Sequence, residues 1–311
     1  MPDSDEFWDF YWELRLQELE DLGKREAILA ASRLIRRYIL PDSPTIRLLE
    51  LGCGEGQIIG ALVEAHSEVC SVNACIGVDY KPQAIEKCRR SYPDMRFLLG
   101  DFTDPDLLAV LGRFEIVMLV NALHEVFSSG YSQDIGEVDV PAAKQKVKEA
   151  IAGAVSKILP GGYLVIFDGL EPTGDLQETI RVRFRYQKAR EHFEAFTQEY
   201  QPFRVSYQAF GDPYCIELSL RDFTRYITKS IFLGKQLWQT ERLESYQYFT
   251  ETEFREVLEN QGLELLELRT ITVDYEKWSE QIEIQTPGID FPAEHILILA
   301  RKRGQVPQNL S

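Results

Sequence analysis

The sequence predicts an α/β fold with a ligand site at the edge where its strands end, and three observations carry that expectation. Short runs rich in aliphatic and β-branched residues recur at 46–51, 75–78, 95–99, 114–120 and 163–167, with helical stretches between them. A polar residue closes each run or follows it closely: Glu50, Asp79, Asp101, Asn121 and Asp168. The first run also opens into glycines at alternate positions, Glu50-x-Gly52-Cys53-Gly54-x-Gly56.

The run at 46–51 reads as the first strand and residues 58–66 as the helix after it. Alternating glycines let the backbone turn tightly and approach a ligand without Cβ clashes. They stand between strand and helix, where α/β proteins bind nucleotides. A dinucleotide fingerprint does not fit, because its sixth position falls on Gln57 or Ile59 instead of glycine. A phosphate-cradling loop would need a lysine, and none occurs between Lys24 and Lys81. Glu50 just before the glycines suits a ligand with a cationic amino-acid end better than a pyrophosphate.

The second strand, at 75–78, ends in Asp79-Tyr80, 29 residues beyond Glu50. A carboxylate there can accept both hydroxyls of a ribose. The third strand, at 95–99, runs into Gly100-Asp101-Phe102, an acid for an adenine amino group and a ring for its face. The fourth, at 114–120, ends in Asn121-Ala122-Leu123-His124-Glu125. The fifth follows the turn Leu159-Pro160-Gly161-Gly162 and ends before Asp168-Gly169.

These pieces together resemble the class I (Rossmann-like) S-adenosylmethionine-dependent methyltransferases. ELGCGEG, GVDY, LLGDF, the apolar strand before NALHEV, and LPGGYLVIFDG stand in that family's order and spacing over about residues 46–170. The segments FTETEFREVLENQG, LELLELRTITV and HILILARK are similar to its last helix and last two strands. The resemblance implies a doubly wound, seven-stranded, mostly parallel sheet with an antiparallel seventh strand. It implies S-adenosyl-L-methionine as cofactor and S-adenosyl-L-homocysteine as product. The cofactor-binding residues would be Glu50, Gly52, Cys53, Gly54, Gly56, Asp79, Tyr80, Asp101, Phe102 and Asn121.

Two additions frame this core. Residues 6–22 carry Trp8, Tyr11, Trp12, Arg15, Leu19 and Leu22 at helical spacing, and a second helix over 24–39 is stopped by Pro41. They form an amino-terminal helical cap (1–40), and in the family such a segment lies over the cofactor, so Tyr11, Trp12 and Arg15 are candidates to touch it. An insertion at 171–248 divides the core, 41–170 and 249–303, and residues 304–311 read as a flexible tail. The insertion is expected to be helical: a charged helix over 175–198, a hairpin-like stretch at Gly211-Asp212-Pro213, and a helix over 220–245. Thr250-x-x-Glu253 then matches a capping box, with Gly262 ending that helix. The connection at 274–292 is also long. The insertion and this connection both leave the carboxyl ends of strands, where open α/β sheets bind ligands, so they are placed to enclose a substrate, with 171–248 as its lid. Arg181 and Arg185 would share a helical face, either as an anion-binding wall or as a solvated face paired with nearby acids. Glu125, Trp238, Tyr275 and Trp278 complete the expected substrate-binding set.

Composition narrows the partners. The chain has 311 residues, enough for one large domain, and 44% hydrophobic content, enough for a core. Fifty acids against 34 bases give −16, so nucleic acid and anionic membrane are disfavoured as partners. No run is long enough to cross a bilayer, and the acidic, aromatic start does not read as a targeting signal. Five cysteines without metal-ligand spacing point to a reduced cytoplasm.

Methyl transfer from a sulfonium is a direct displacement, so the protein must align the reactants, exclude water and, for a hydroxyl or amine, take a proton. Alignment can supply about 7–11 kcal/mol of the barrier. His124 is the candidate base, since its ordinary pKa lies near neutrality, or else a brace for its loop. Asp168 and Glu171 are the other catalytic candidates. A metal-assisted variant would want acids after both the fourth and fifth strands; the former is Asn121, so no metal is expected. The favoured function is methylation of an oxygen or nitrogen of a small molecule or short peptide, by a monomer or homodimer. RNA or protein methylation, and a cofactor-binding regulator without transfer activity, are the alternatives.

Overall fold

The computed structural model describes residues 5–304 except 18, 20, 40–44, 133, 135, 173, 176, 273 and 274. Its elements run α1 (Asp5–Arg15), α2 (Leu22–Leu34, continued by a π-helical turn, Ile35–Ile39), β1 (Leu48–Leu51), α3 (Gln57–Ala65), β2 (Ile76–Asp79), α4 (Pro82–Ser91), β3 (Arg96–Leu99), α5 (Pro105–Val110) and β4 (Phe114–Val120). After these come α6 (Leu123–Ser128), a small hairpin of β5 (Tyr131–Ser132) and β6 (Glu137–Val138), α7 (Val140–Ser156) and β7 (Ile158–Gly169). The insertion contains β8 (Thr179–Phe184), α8 (Gln187–Glu199), β9 (Tyr207–Phe210), β10 (Asp212–Ser219), α9 (Leu220–Lys229) and α10 (Trp238–Glu241). The chain closes with α11 (Glu251–Asn260), β11 (Leu263–Ile271), α12 (Tyr275–Gln281), β12 (Ile282–Ile284) and β13 (His295–Lys302).

Seven strands form the main sheet in the order β11-β13-β7-β4-β1-β2-β3. β1 to β4 and β7 pair in parallel, and β13 lies antiparallel between β7 and β11, the topology expected from the sequence. The central strands are buried on both faces, which is why they read as continuous apolar runs. One face is covered by α1 to α4 and the other by α6, α7 and α11. The capping box at Thr250 and Glu253 is formed, and Gly262 leaves the helix at φ +76°.

The insertion differs from the helical expectation. Residues 179–184 form a strand, because Ile180, Val182 and Phe184 are buried while Thr179 and Arg181 face out, a period of two instead of 3.6. Residues 220–245 break after α9 instead of forming one long helix. Together with β12 from the 274–292 connection, these strands build a second sheet, β12-β8-β10-β9. Phe193, Phe196, Phe223, Tyr226, Trp238 and Trp278 pack a separate apolar core beneath it. Among the described residues no helix is long and apolar enough to cross a membrane. The stop at Pro41, the start of the connection at Asp274 and the tail beyond 304 lie outside the described residues.

Candidate functional site

The glycine turn is held open by acids behind it. Gly52, Gly54 and Gly56 all have positive φ, and a Cβ on Gly52 would lie 2.7 Å from that of Ala122. Glu50 is buried and accepts the Ile59 N–H (3.1 Å), tying the strand end to α3. Burial pushes its carboxyl up to about 8, against the pull of that amide and of Lys24. Asp79 accepts the N–H groups of Gly54 and Lys81, each at 2.8 Å, one on each oxygen. A carboxylate has about four acceptor positions, so two remain for a ligand. Cys53 and Cys88 meet behind the loop, with the Cys88 thiol donating to Gly54 O (3.1 Å).

A cleft of about 970 Å³ opens beside this turn, lined by Tyr80, Asp101, Phe102, Ala122 and Glu125 and running on along α7. Asp101 is exposed, and one of its oxygens accepts the amide and hydroxyl of Thr103. Phe102 is buried against Gly52, and Tyr80 is exposed. Glu125, expected to bind the acceptor, pairs with Lys81 (3.0 Å) at this mouth, beside Tyr80.

The other end of the turn is closed by the start of α2. Asp21 caps that helix by accepting the Lys24 N–H, and Lys24 Nζ donates to Gln57 Oε1 (2.6 Å). Asn121 adopts φ +50°, and its Oδ1 is buried with no partner among the described residues. The aromatic residues of α1 are elsewhere. Trp12 donates to Ser32, whose hydroxyl meets His66, Trp8 stacks on His66, and Arg15 pairs with Glu64. These contacts lie at the far end of α3, about 13 Å along a helix of that length from the glycines. Tyr11, expected to touch the cofactor, belongs to the same aromatic cluster and packs edge-on against Trp8 and Trp12. Its helical stripe packs on other helices, and the cover comes from the next helix.

At the carboxyl ends of β4 and β7 a chain of buried charges joins core to insertion. Asp168, fully buried, accepts the N–H groups of Ala122, Leu123 and Gly169 at 2.7–2.9 Å and meets His124 Nδ1 at 3.0 Å. Burial opposes its charge, yet His124 and the amides hold it below the usual carboxylate range. His124 Nε2 faces Glu244 at 3.7 Å, and Glu244 faces Lys229 at 3.5 Å, which also pairs with Glu241. Tyr246 stacks on His124, and the Lys229 ammonium lies 4.3 Å from the Tyr246 ring centre. Burial alone would lower the His124 pKa, but Asp168 and Glu244 push it up to about 10. The two carboxylates favour the protonated imidazole, an arrangement that suits a brace for the loop, the alternative expected for His124, more than a free base.

The remaining expected residues are dispersed. Glu171 is buried and accepts from Arg221 (3.0 Å). Arg181 pairs with Glu217 and lies over Phe210, and Arg185 donates to Ser279 O; both stand on the outer face of the second sheet, a solvated, paired surface. Trp238 and Trp278 belong to the insertion's own core, and Tyr275 is exposed against Phe291. None of these six is among the hydrogen-bond partners of Asp168. Lys229, Glu244 and Tyr246 were not singled out from the sequence, because their partners lie far away in the chain or in another element. Among the described residues no group of three or more His, Cys, Asp or Glu is arranged to hold a metal.

Comparison with known proteins agrees with the core. Residues 48–138 match the family model described as a methyltransferase domain. A tRNA N(3)-methylcytidine methyltransferase of Schizosaccharomyces pombe is 29% identical over 133 residues, 42% of this chain and 46% of its own length. The chain thus spans about half the length of that curated relative. Among solved structures, a S-adenosylmethionine-dependent methyltransferase of Clostridium acetobutylicum superposes with TM-score 0.48 at 10% identity, covering 96% of this chain and 98% of its own. A magnesium protoporphyrin IX methyltransferase of Synechocystis PCC 6803, solved with bound S-adenosylhomocysteine, gives 0.46 at 10% identity over 95% and 94%.

Proposed function

Since this chain belongs to the class I, Rossmann-like S-adenosylmethionine-dependent methyltransferases, we propose that it methylates an oxygen or nitrogen of a small molecule or short peptide in an enclosed pocket. The observation that carries the acceptor class is the packing of Tyr246, Glu244 and Lys229 from the insertion onto His124 and Asp168. A cover packed onto the ends of β4 and β7 supports a small acceptor over a polymer, which would need an open rim.

S-adenosylmethionine supplies an activated methyl group when bound. The residues present fit it: the glycine turn has no room for a Cβ at Gly52, Asn121 Oδ1 has no partner among the described residues, and Asp79 keeps free acceptor positions. Asp79 would hold the ribose hydroxyls, Asp101 and Phe102 the adenine, and Glu50 and Asn121 the amino-acid end. Asp168 would fix the loop 121–124 through its amides, and His124 would lock that loop to the insertion. With His124 protonated and Glu171 held by Arg221, rate would come from alignment and exclusion of water, on an acceptor that arrives already deprotonated. The five described thiols are all free and fit a reducing compartment.

A second reading, methylation of RNA, has the S. pombe relative in its favour. Incubation with labelled S-adenosylmethionine and either a low-molecular-weight cell extract or total tRNA separates the two. Label in the small-molecule fraction is expected; label in tRNA alone would replace the first reading by the second.

A further inference from the structure

The cleft beside the glycine turn is longer than the adenosine part of a cofactor needs. Tyr80, Asp101, Phe102 and Ala122 line its mouth, and no glycine of the turn lines it at all. Its other half lies between α5 and α7, where Leu108 and Ala109 face Ala150 and Gly153. A Cβ on Gly153 would come within 2.7 Å of Leu108 Cδ1, so glycine sets how closely these helices approach. The lining of α7 runs from Lys146 to Lys157, about 16 Å of helix.

The far end of this trench is positive. Lys81, Lys87, Lys144 and Lys229 each pair with a carboxylate, whereas none pairs with the half-buried Lys157 among the described residues. The carbonyls at the end of α7 do not occupy it either. Lys302 Nζ already donates to Val155 O (2.8 Å) and to Ile158 O (3.1 Å) just beyond the helix. The mouth, by contrast, carries the acids Asp101 and Glu125.

We propose that the α5–α7 half of the cleft is a second ligand site, for an amphiphile with a single anionic head. The head pairs with Lys157, and the apolar body lies over Leu108, Ala109, Ala150 and Gly153 toward the mouth. Burial of the body supplies affinity, and the charge-assisted bond selects the head. Asp101 and Glu125 repel an anion from the mouth, so the ligand has one orientation. The site uses no residue assigned to cofactor or acceptor, so it goes beyond the proposed reaction.

Calorimetric titration of the full chain with octanoate, and with octanol as its uncharged counterpart, tests this with and without S-adenosylhomocysteine. Octanoate is expected to bind at least about tenfold more tightly than octanol, and Lys157→Met should remove that preference. Lys157→Arg should keep it. Ala109 is exposed, so Ala109→Trp should fold, fill the trench and weaken octanoate at least about tenfold with S-adenosylhomocysteine affinity unchanged. No octanoate binding, equal binding of octanoate and octanol, or a preference that survives Lys157→Met would each overturn the proposal. Displacement of octanoate by S-adenosylhomocysteine would overturn it too, by placing the probe at the adenosine end. A protein that binds octanoate as expected but no S-adenosylhomocysteine would sink the cofactor reading and leave this site standing.

Discussion

The rings of His124 and Tyr246 lie stacked with centres 3.7 Å apart, one in the first turn of α6 and the other between α10 and α11. This contact, with Asp168 on one imidazole nitrogen and Glu244 near the other, makes the core and the insertion share a buried charge. Removing the imidazole would leave Asp168 buried without a cation and Glu244 with Lys229 alone. His124→Ala is therefore expected to cost about 3–5 kcal/mol in denaturant unfolding, the range for breaking a buried ion pair. The folded-state pKa of His124 is raised to about 10, so its stabilisation is full below its unfolded value near 6.5 and is lost as pH rises through 10. The variant should show a flatter stability profile over that window. Unchanged stability with loss of a neutral ionisation in the rate profile would restore His124 as a base.

Glu50 predicts a proton linked to binding. Burial holds its carboxyl at about 8, so at pH 7 it is mostly protonated in the free protein. A cationic ligand group placed beside it favours the ionised form. Binding of S-adenosylmethionine at pH 7 should then release a proton, seen as a binding heat that depends on the ionisation enthalpy of the buffer. Glu50→Gln should remove that dependence. A buffer-independent heat in the unaltered protein would separate Glu50 from the ligand.

Asp79→Ala should weaken S-adenosylmethionine at least about tenfold, since charge-assisted bonds to the ribose and the anchor on Gly54 N–H go together. Asp79→Asn would retain part of the hydrogen bonding and lose less. Equal affinity in a folded Asp79→Ala protein, measured by calorimetry, would sink the ribose assignment.

With a net charge of −16, the chain should not bind RNA tightly at physiological salt. A filter-binding affinity below about a micromolar that weakens steeply with salt, as counterion release requires, would favour the RNA reading.

The main sheet was legible because its signals are local. A strand followed by its polar cap, repeated five times, needs only a few adjacent residues to be seen, and residues 114–120 match β4 end to end. The glycine turn was legible for the same reason. The insertion was misread where arginines at 181, 183 and 185 hid the alternation of Ile180, Val182 and Phe184, since charge drew attention from burial. The amino-terminal helices were recognised, but which end of them meets the loop depends on packing: Gly23, an unremarked glycine in a helix, admits α2 to Phe167 and Asn121. The charge chain was invisible for a deeper reason. His124 and Glu244 are 120 residues apart, and no local pattern marks two groups that meet only after the insertion has folded.

β12 completes the second sheet by pairing with β8, Ile282 against Phe184, yet the two strands come from loops on opposite sides of α11 and β11 in the chain. The second sheet, the proposed cover, is therefore no cassette. Exchanging 171–248 alone with the corresponding stretch of another enzyme would strand β12 without its neighbour and open the seam beside Trp278. If this sheet chooses the acceptor as proposed, that preference is inherited through two separate stretches at once, and a hybrid that swaps both together is the unit in which a new specificity could be transplanted.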